Sequence, residues 1–221
     1  MTFRLEPLLD PTQLQGLVDA LQAADAPWQS GQQTAGWHAR LVKHNHQLDR
    51  ASSLHQQLSA KLLPLLEAHP LIAALAFPRR LHGLLFSRSG PGEGYGRHVD
   101  NAWMAGGRSD LSFTVFLTAP QRYSGGDLVL ETDGGEQRLR LPAGHAIVYP
   151  STLLHRVEPV SAGERLVAVG WIESRIRQPE QRQLLFELDT ARRLAFQRHG
   201  KEELFDLISR SYSNLLRHWD S

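Results

Sequence analysis

The sequence predicts an α+β protein with a jelly-roll core, N-terminal helices packed on it and a C-terminal helical appendage. Three observations carry this reading. From about residue 80 to 177, short apolar or alternating runs are separated by Gly- and Pro-rich turns, the texture of a sandwich or barrel. On both sides of that stretch, apolar residues recur at helical spacing instead. The 221 residues, 41% apolar and 21% charged, suffice for one sizeable domain with an appendage. The expected division is 1–79 as helical support, 80–177 as the jelly-roll domain and 178–221 as a helical segment.

In chain order, a helix is expected over 11–24. Asp10 can cap it, Pro11 suits its first turn, and Leu14, Leu17, Val18 and Leu21 form its apolar stripe. Residues 29–36 are polar and contain glycine, which predicts a loop, and 37–42 alternate as a short strand would. Leu54, Leu58, Leu62 and Leu66 mark a second helix over 49–68, with Pro64 as a kink or split. Pro70 and Pro78 punctuate the chain after that helix. Strands are predicted near 81–87, 95–100, 112–118, 126–131, 136–141, 145–149, 154–158 and 165–173. The turns between them include Gly90-Pro91-Gly92, Ser124-Gly125-Gly126 and Pro142-Ala143-Gly144. Pro179 opens a helix to about Arg198, Gly200 stops it, and a last helix runs from Lys201 to His218. The leucines of these last two helices offer core or homodimer surface.

Composition narrows the function classes. A net charge of +1 gives no electrostatic reason to expect nucleic acid or an anionic membrane as partner. With no cysteine, disulfides, thiolate zinc sites, iron–sulfur clusters and a Cys nucleophile are excluded. The first residues hold no apolar run of signal-peptide length and no segment reaches a membrane span, so the cytoplasm is the expected location. Eleven histidines make metal chemistry worth testing.

The stretch Gly94 to Trp103 holds His98 and Asp100 at i, i+2, which places both on one face if the segment is extended. His155, at the start of a later strand, is the candidate third ligand. Two histidines and one carboxylate with open coordination positions point to non-haem Fe(II). Arg165 lies ten residues further on, and a hairpin is expected to return it close to His155. A buried guanidinium there needs an anionic partner and matches a carboxylate bidentately. A dicarboxylate chelating iron at one end and meeting Arg165 at the other satisfies both demands, as 2-oxoglutarate does.

His98-Val99-Asp100, then His155, then Arg165 resembles the Fe(II)- and 2-oxoglutarate-dependent dioxygenases, with their double-stranded β-helix core. More narrowly, Tyr95 to Ala102, Gly125 to Leu128, Pro150 to Val157 and Gly170 to Ile172 resemble the bacterial PKHD-type hydroxylases, relatives of the prolyl 4-hydroxylases. The resemblance implies that His98, Asp100 and His155 bind Fe(II), that Arg165 binds 2-oxoglutarate, and that L-ascorbate keeps the iron reduced. It also implies O2 consumption, release of succinate and CO2, and hydroxylation of a small-molecule or peptide substrate. Asp100 is a carboxylate ligand where an alanine or glycine would open a position for halide, which favours hydroxylation over halogenation. Relatives often carry a co-substrate-binding tyrosine where this chain has Ser89, so Ser89 is expected beside 2-oxoglutarate.

Bland readings stand beside these. His218-Trp219-Asp220 repeats the His-x-Asp spacing but ends a helix, where such side chains diverge, and is read as solvated surface. His145 is read as structural, and His44 and His46 as surface or substrate-edge residues lacking a carboxylate partner. Gly125 and Gly126 are read as turn formers and Trp171 as core. Trp103 and Met104 are placed at the entrance. The alternative to an enzyme is a non-catalytic barrel that binds a metal or small anion as a sensor or binding module.

Overall fold

Alternation of apolar and polar residues, broken by glycine turns, folds the middle of the chain into two facing antiparallel sheets, a jelly roll. The computed structural model describes residues 2–34, 39–104 and 106–220. Its elements open with β1 (Phe3–Leu5), α1 (Pro11–Gln22), β2 (Trp28–Ser30), β3 (Lys43–His44), β4 (His46–Leu48), α2 (Ser53–Glu67) and α3 (Pro70–Ala76). The barrel strands are β5 (Pro78–Ser89), β6 (Gly94–His98), β7 (Trp103–Met104), β8 (Gly107–Arg108), β9 (Leu111–Phe116), β10 (Tyr123–Gly125), β11 (Leu128–Thr132) and β12 (Gly135–Leu139). They continue with β13 (Ala146–Pro150), β14 (His155–Val157), β15 (Val160–Gly163) and β16 (Arg165–Ser174), followed by α4 (Pro179–His199) and α5 (Glu203–Trp219).

The larger sheet has the order β1-β13-β9-β16-β5-β4-β2 and the smaller β12-β11-β14-β6-β3, with short ribbons β10-β15 and β7-β8. Between the sheets, Phe116, Leu128, Leu130, Leu139, Ile147 and Val167 form one apolar cluster. Behind the larger sheet, Leu17 and Leu21 of α1 and Leu58, Leu62 and Leu66 of α2 pack on Phe86, Phe113 and Val148. Each such side chain contributes about 1.5–3 kcal/mol of burial. The second cluster therefore fixes the helices to one face and leaves the inside of the roll for a site.

Local chemistry sets the helix starts. Asp10 accepts from the Gln13 backbone N–H at 2.8 Å and Gln13 reciprocates to the Asp10 N–H at 3.0 Å, a capping box. Ser52 caps α2, which starts later than the expected residue 49 because Asp49 and Arg50 precede that cap. Pro64 sits inside α2 without splitting it, and α3 was not expected from the sequence. Among the described residues, no single helix is long and apolar enough to cross a membrane.

Several expectations change. The predicted loop over 29–36 contains part of β2, which pairs with β4, and a 3-10 turn over Gly31–Thr34. Residues 39–42 of the predicted strand form another 3-10 turn, and 35–38 lie outside the described residues. Residues 1–79 supply four strands as well as helices, three in the larger sheet and β3 in the smaller. Pairing with distant strands decides these short elements, and local polarity does not reveal it. At the far end, His218 and Asp220 are exposed, and Asp220 pairs with Arg175.

Candidate metal centre

Strand pairing brings the three candidate ligands together. β6 and β14 run antiparallel with His98 directly opposite His155, their ring centroids 4.2 Å apart. β6 ends at His98, so Asp100 lies beyond the strand rather than on it as expected. It still turns inward, with its Oδ2 3.9 Å from His155 Nε2. One ligand atom from each of His98, Asp100 and His155 lies within 4.8 Å of the others. Between His98 and Tyr95 the register with β14 shifts, so residues three apart share the inner face and Tyr95 stacks on His98 at 3.6 Å.

The protonation of this cluster suits a cation. The Nδ1 atoms of His98 and His155 lie 2.8 Å from the Gly96 carbonyl and 2.9 Å from the Leu153 carbonyl. A carbonyl only accepts, so each Nδ1 carries the proton and each Nε2 keeps its lone pair for a metal. Burial, with His155 close by, pushes His98 down to about 4 despite the Gly96 carbonyl and Asp100, which keeps the ring neutral. Ser112 donates to Asp100 Oδ2 at 2.6 Å and shares a 2.7 Å hydrogen bond with Ser151, which holds the carboxylate in one orientation. Two imidazoles turned by backbone carbonyls and an oriented carboxylate are the donor set of a non-haem ferrous site.

Arg165 shares the same cleft but reaches it by a different route from the expected hairpin. It does not pair with β14. It begins β16 in the opposite sheet, directly across from Ser89 on β5. β15 intervenes and the chain crosses between sheets, so sequence proximity to His155 was the wrong reason for a correct neighbourhood. Arg165 is 3% exposed, its guanidinium carbon is 5.6 Å from the Phe116 ring centroid, and its Nε has no hydrogen-bond partner among the described residues. Burial pushes its pKa down, an opposition to the charge that a bound carboxylate would relieve. Ser89 is also buried and lines the cleft. Gly126 is more than a turn former: at φ +68° it is close enough that a Cβ would lie 3.0 Å from Arg165 Cδ.

The cleft encloses about 970 Å³ including its open mouth. Trp171, read as core, is 7% exposed and lines it, as does Met104, whereas Trp103, also expected at the entrance, is 67% exposed and is not among the lining residues. His145 lies in the turn before β13 and is not among the three candidate ligands. His46 does find a carboxylate, with Nδ1 3.1 Å from Glu93. Sequence reasoning missed the wall formed by Lys43, Asn45 and Gln47. The signal was their alternation, since His44 and His46 between them are absent from the lining. Lys43 is 5% exposed, with Nζ 5.2 Å over the Tyr95 ring. Burial pushes its pKa down to about 8 while Asp100 pulls it up, so it is cationic at neutral pH.

Known proteins are similar to this chain in both sequence and fold. The family model of the 2OG-Fe(II) oxygenase superfamily matches residues 84–173, and that of the PKHD-type hydroxylase C-terminal domain matches 180–220. A PKHD-type hydroxylase of Synechococcus elongatus is 52% identical over 223 residues, covering 99% of both chains. One from Acaryochloris marina is 49% identical over 219 residues, again covering 99% of both. The crystal structure of a Pseudomonas putida prolyl-4-hydroxylase is similar in fold, with TM-score 0.56 and 21% identity over 79% of this chain and 92% of that one.

Proposed function

The chain belongs to the PKHD-type hydroxylases and is an Fe(II)/2-oxoglutarate-dependent dioxygenase, and from that premise we propose the role of each residue in its site. His98, Asp100 and His155 hold ferrous iron, and Arg165 receives the distal carboxylate of 2-oxoglutarate with Ser89 beside it. The carrying observation is that three ligand atoms within 4.8 Å share one cleft with a buried guanidinium whose Nε has no partner among the described residues. Iron bound there would activate O2, the oxidant of the reaction: one oxygen atom would end in succinate as 2-oxoglutarate loses CO2, and the other in the hydroxyl formed at a substrate C–H bond.

The chain's own residues prepare that chemistry. Gly96 and Leu153 carbonyls orient the two imidazoles, Ser112 orients Asp100, and Phe116 with Gly126 shapes the Arg165 slot. Apolar walls of Leu128, Val157, Val167 and Val169 limit water in the cleft. L-Ascorbate serves as the reductant that keeps iron ferrous between turnovers. The substrate is a small molecule or peptide, the location is cytoplasmic, and the 80–177 core works with helical segments on either side. The last of these, 178–221, is proposed as a homodimer surface, supported by the exposed Leu204 and Leu207 of α5.

The alternative of a non-catalytic sensor barrel is not favoured by the family. Purified protein given Fe(II), 2-oxoglutarate and O2 is expected to form succinate, with ascorbate sustaining the rate. Binding of both without succinate formation, across a broad metabolite panel, would return the reading to a sensor.

A further inference from the structure

We propose that Lys43 is an anion subsite for the substrate, and that the molecule hydroxylated is an organic acid whose carboxylate it holds. The inference rests on the iron and 2-oxoglutarate reading above and adds the substrate's chemical class to it.

The placement comes first. β3 forms the edge of the smaller sheet, with Lys43 directly opposite Tyr95 on β6. Tyr95 in turn stacks on His98. Lys43 thus stands one aromatic ring away from a metal ligand, on the wall of the cleft rather than on the outer surface. A carboxylate held there lies in the same cleft as the three candidate ligands.

Charge comes second. Asp100 is the one acidic side chain among the described residues lining the cleft, while Lys43 and Arg165 are both basic. Ferrous iron brings two positive charges and 2-oxoglutarate two negative ones. Asp100 and Arg165 cancel, so the loaded cleft carries one net positive charge. A low-dielectric cleft holds such a charge at high cost, and a monoanionic substrate brings it to zero. Asn45 continues the same wall: its Nδ2 donates to Ser87 Oγ at 2.8 Å and its buried Oδ1 has no partner among the described residues, an acceptor suited to the N–H of an amide-bearing molecule. The wall therefore suits acylated amino acids as probes.

The test uses anaerobic full-length protein loaded with Fe(II) and 2-oxoglutarate. N-acetyl amino acids are titrated in matched pairs, as carboxylate and as carboxamide, and binding is read by calorimetry and by the visible absorption of the loaded centre. At least one carboxylate is expected to bind about tenfold or more tightly than its carboxamide. In Lys43→Met, which keeps the apolar stem, that preference should fall to within about twofold, with Fe(II) and 2-oxoglutarate affinities unchanged; Lys43→Arg should retain it. Matching thermal transitions show that the variants fold. The proposal is overturned if no carboxylate is preferred or if Lys43→Met keeps the preference. It is equally overturned if Lys43→Met loses 2-oxoglutarate, because Lys43 then serves the co-substrate. Failure of the unaltered protein to bind Fe(II) and 2-oxoglutarate would instead remove the underlying site reading.

Discussion

Ser112→Ala removes a single oxygen from the inner face of β9, and its consequence can be worked from the geometry. The lost hydrogen bond is 2.6 Å long, ends on a carboxylate, and is the one described side-chain contact to Asp100 Oδ2 from a hydroxyl. A bond to a charged group is worth about 1.5–3 kcal/mol. Removing a hydrogen bond that orients a metal ligand lowers metal affinity about 10–100-fold, which is the same range in free energy. Ser151 also loses its 2.7 Å partner, so the hydroxyl pair that backs the carboxylate is broken as well. The assay is anaerobic calorimetric titration with Fe(II), or with Mn(II) as an air-stable substitute. The expected outcome is weaker metal binding by that factor, with 2-oxoglutarate binding to Arg165 reduced only through the weaker metal. Ser112→Thr, which restores a hydroxyl, should recover part of the loss. An unchanged metal affinity in Ser112→Ala would refute the claim that Asp100 is held as a ligand by this contact.

Other perturbations separate the parts of the site. Arg165→Ala should weaken 2-oxoglutarate about 10- to 100-fold while metal affinity stays within about twofold, measured by parallel titrations; a matched loss of both would contradict the division of roles. Gly126→Ala forces a Cβ to 3.0 Å from both Arg165 Cδ and Val160 Cγ2 at φ +68°. A cost of about 1–3 kcal/mol, or roughly 2–12 °C in Tm, should accompany weaker 2-oxoglutarate binding; an unshifted melting transition with full co-substrate affinity would count against it. His55 tests the core: burial holds its pKa below 6.5, against the pull of the Leu84 carbonyl 2.9 Å away. The unfolded chain therefore binds more protons than the folded one as pH drops through 6.5, and stability is lost on acidification. Urea unfolding of His55→Gln should show a shallower loss over that window than the unaltered protein, and an equal slope would contradict the assignment.

The candidate ligand set was legible because its chemistry is carried by residue types at short spacing, and the structure brings the three together. His98 and Asp100 announce themselves, and the strand opening at His155 gives the third member. The physical reasons were less legible. Alternation on a strand was invoked for Asp100, yet β6 ends at His98 and a register shift lets Tyr95 share its face. Arg165 was placed by a local hairpin, whereas it enters from the larger sheet opposite Ser89. Strand crossing between two sheets is a property of long-range pairing and leaves no local mark. Lys43, Asn45 and Gln47 were not assigned to the cleft because β3 and β4 are two and three residues long, and an alternation over so few residues does not stand out. Long regular elements, such as the two C-terminal helices bounded by Pro179 and Gly200, were readable within a residue or two.

The central claim is that His98, Asp100 and His155 form one iron site that drives 2-oxoglutarate turnover. Its most direct test is anaerobic Fe(II) titration followed by O2 exposure, comparing the unaltered chain with His98→Ala, Asp100→Ala and His155→Ala. One Fe(II) per chain and iron-dependent succinate formation are expected in the unaltered protein, with both lost in each variant of intact fold. Stoichiometric iron binding and undiminished succinate formation in any one of the three would contradict it.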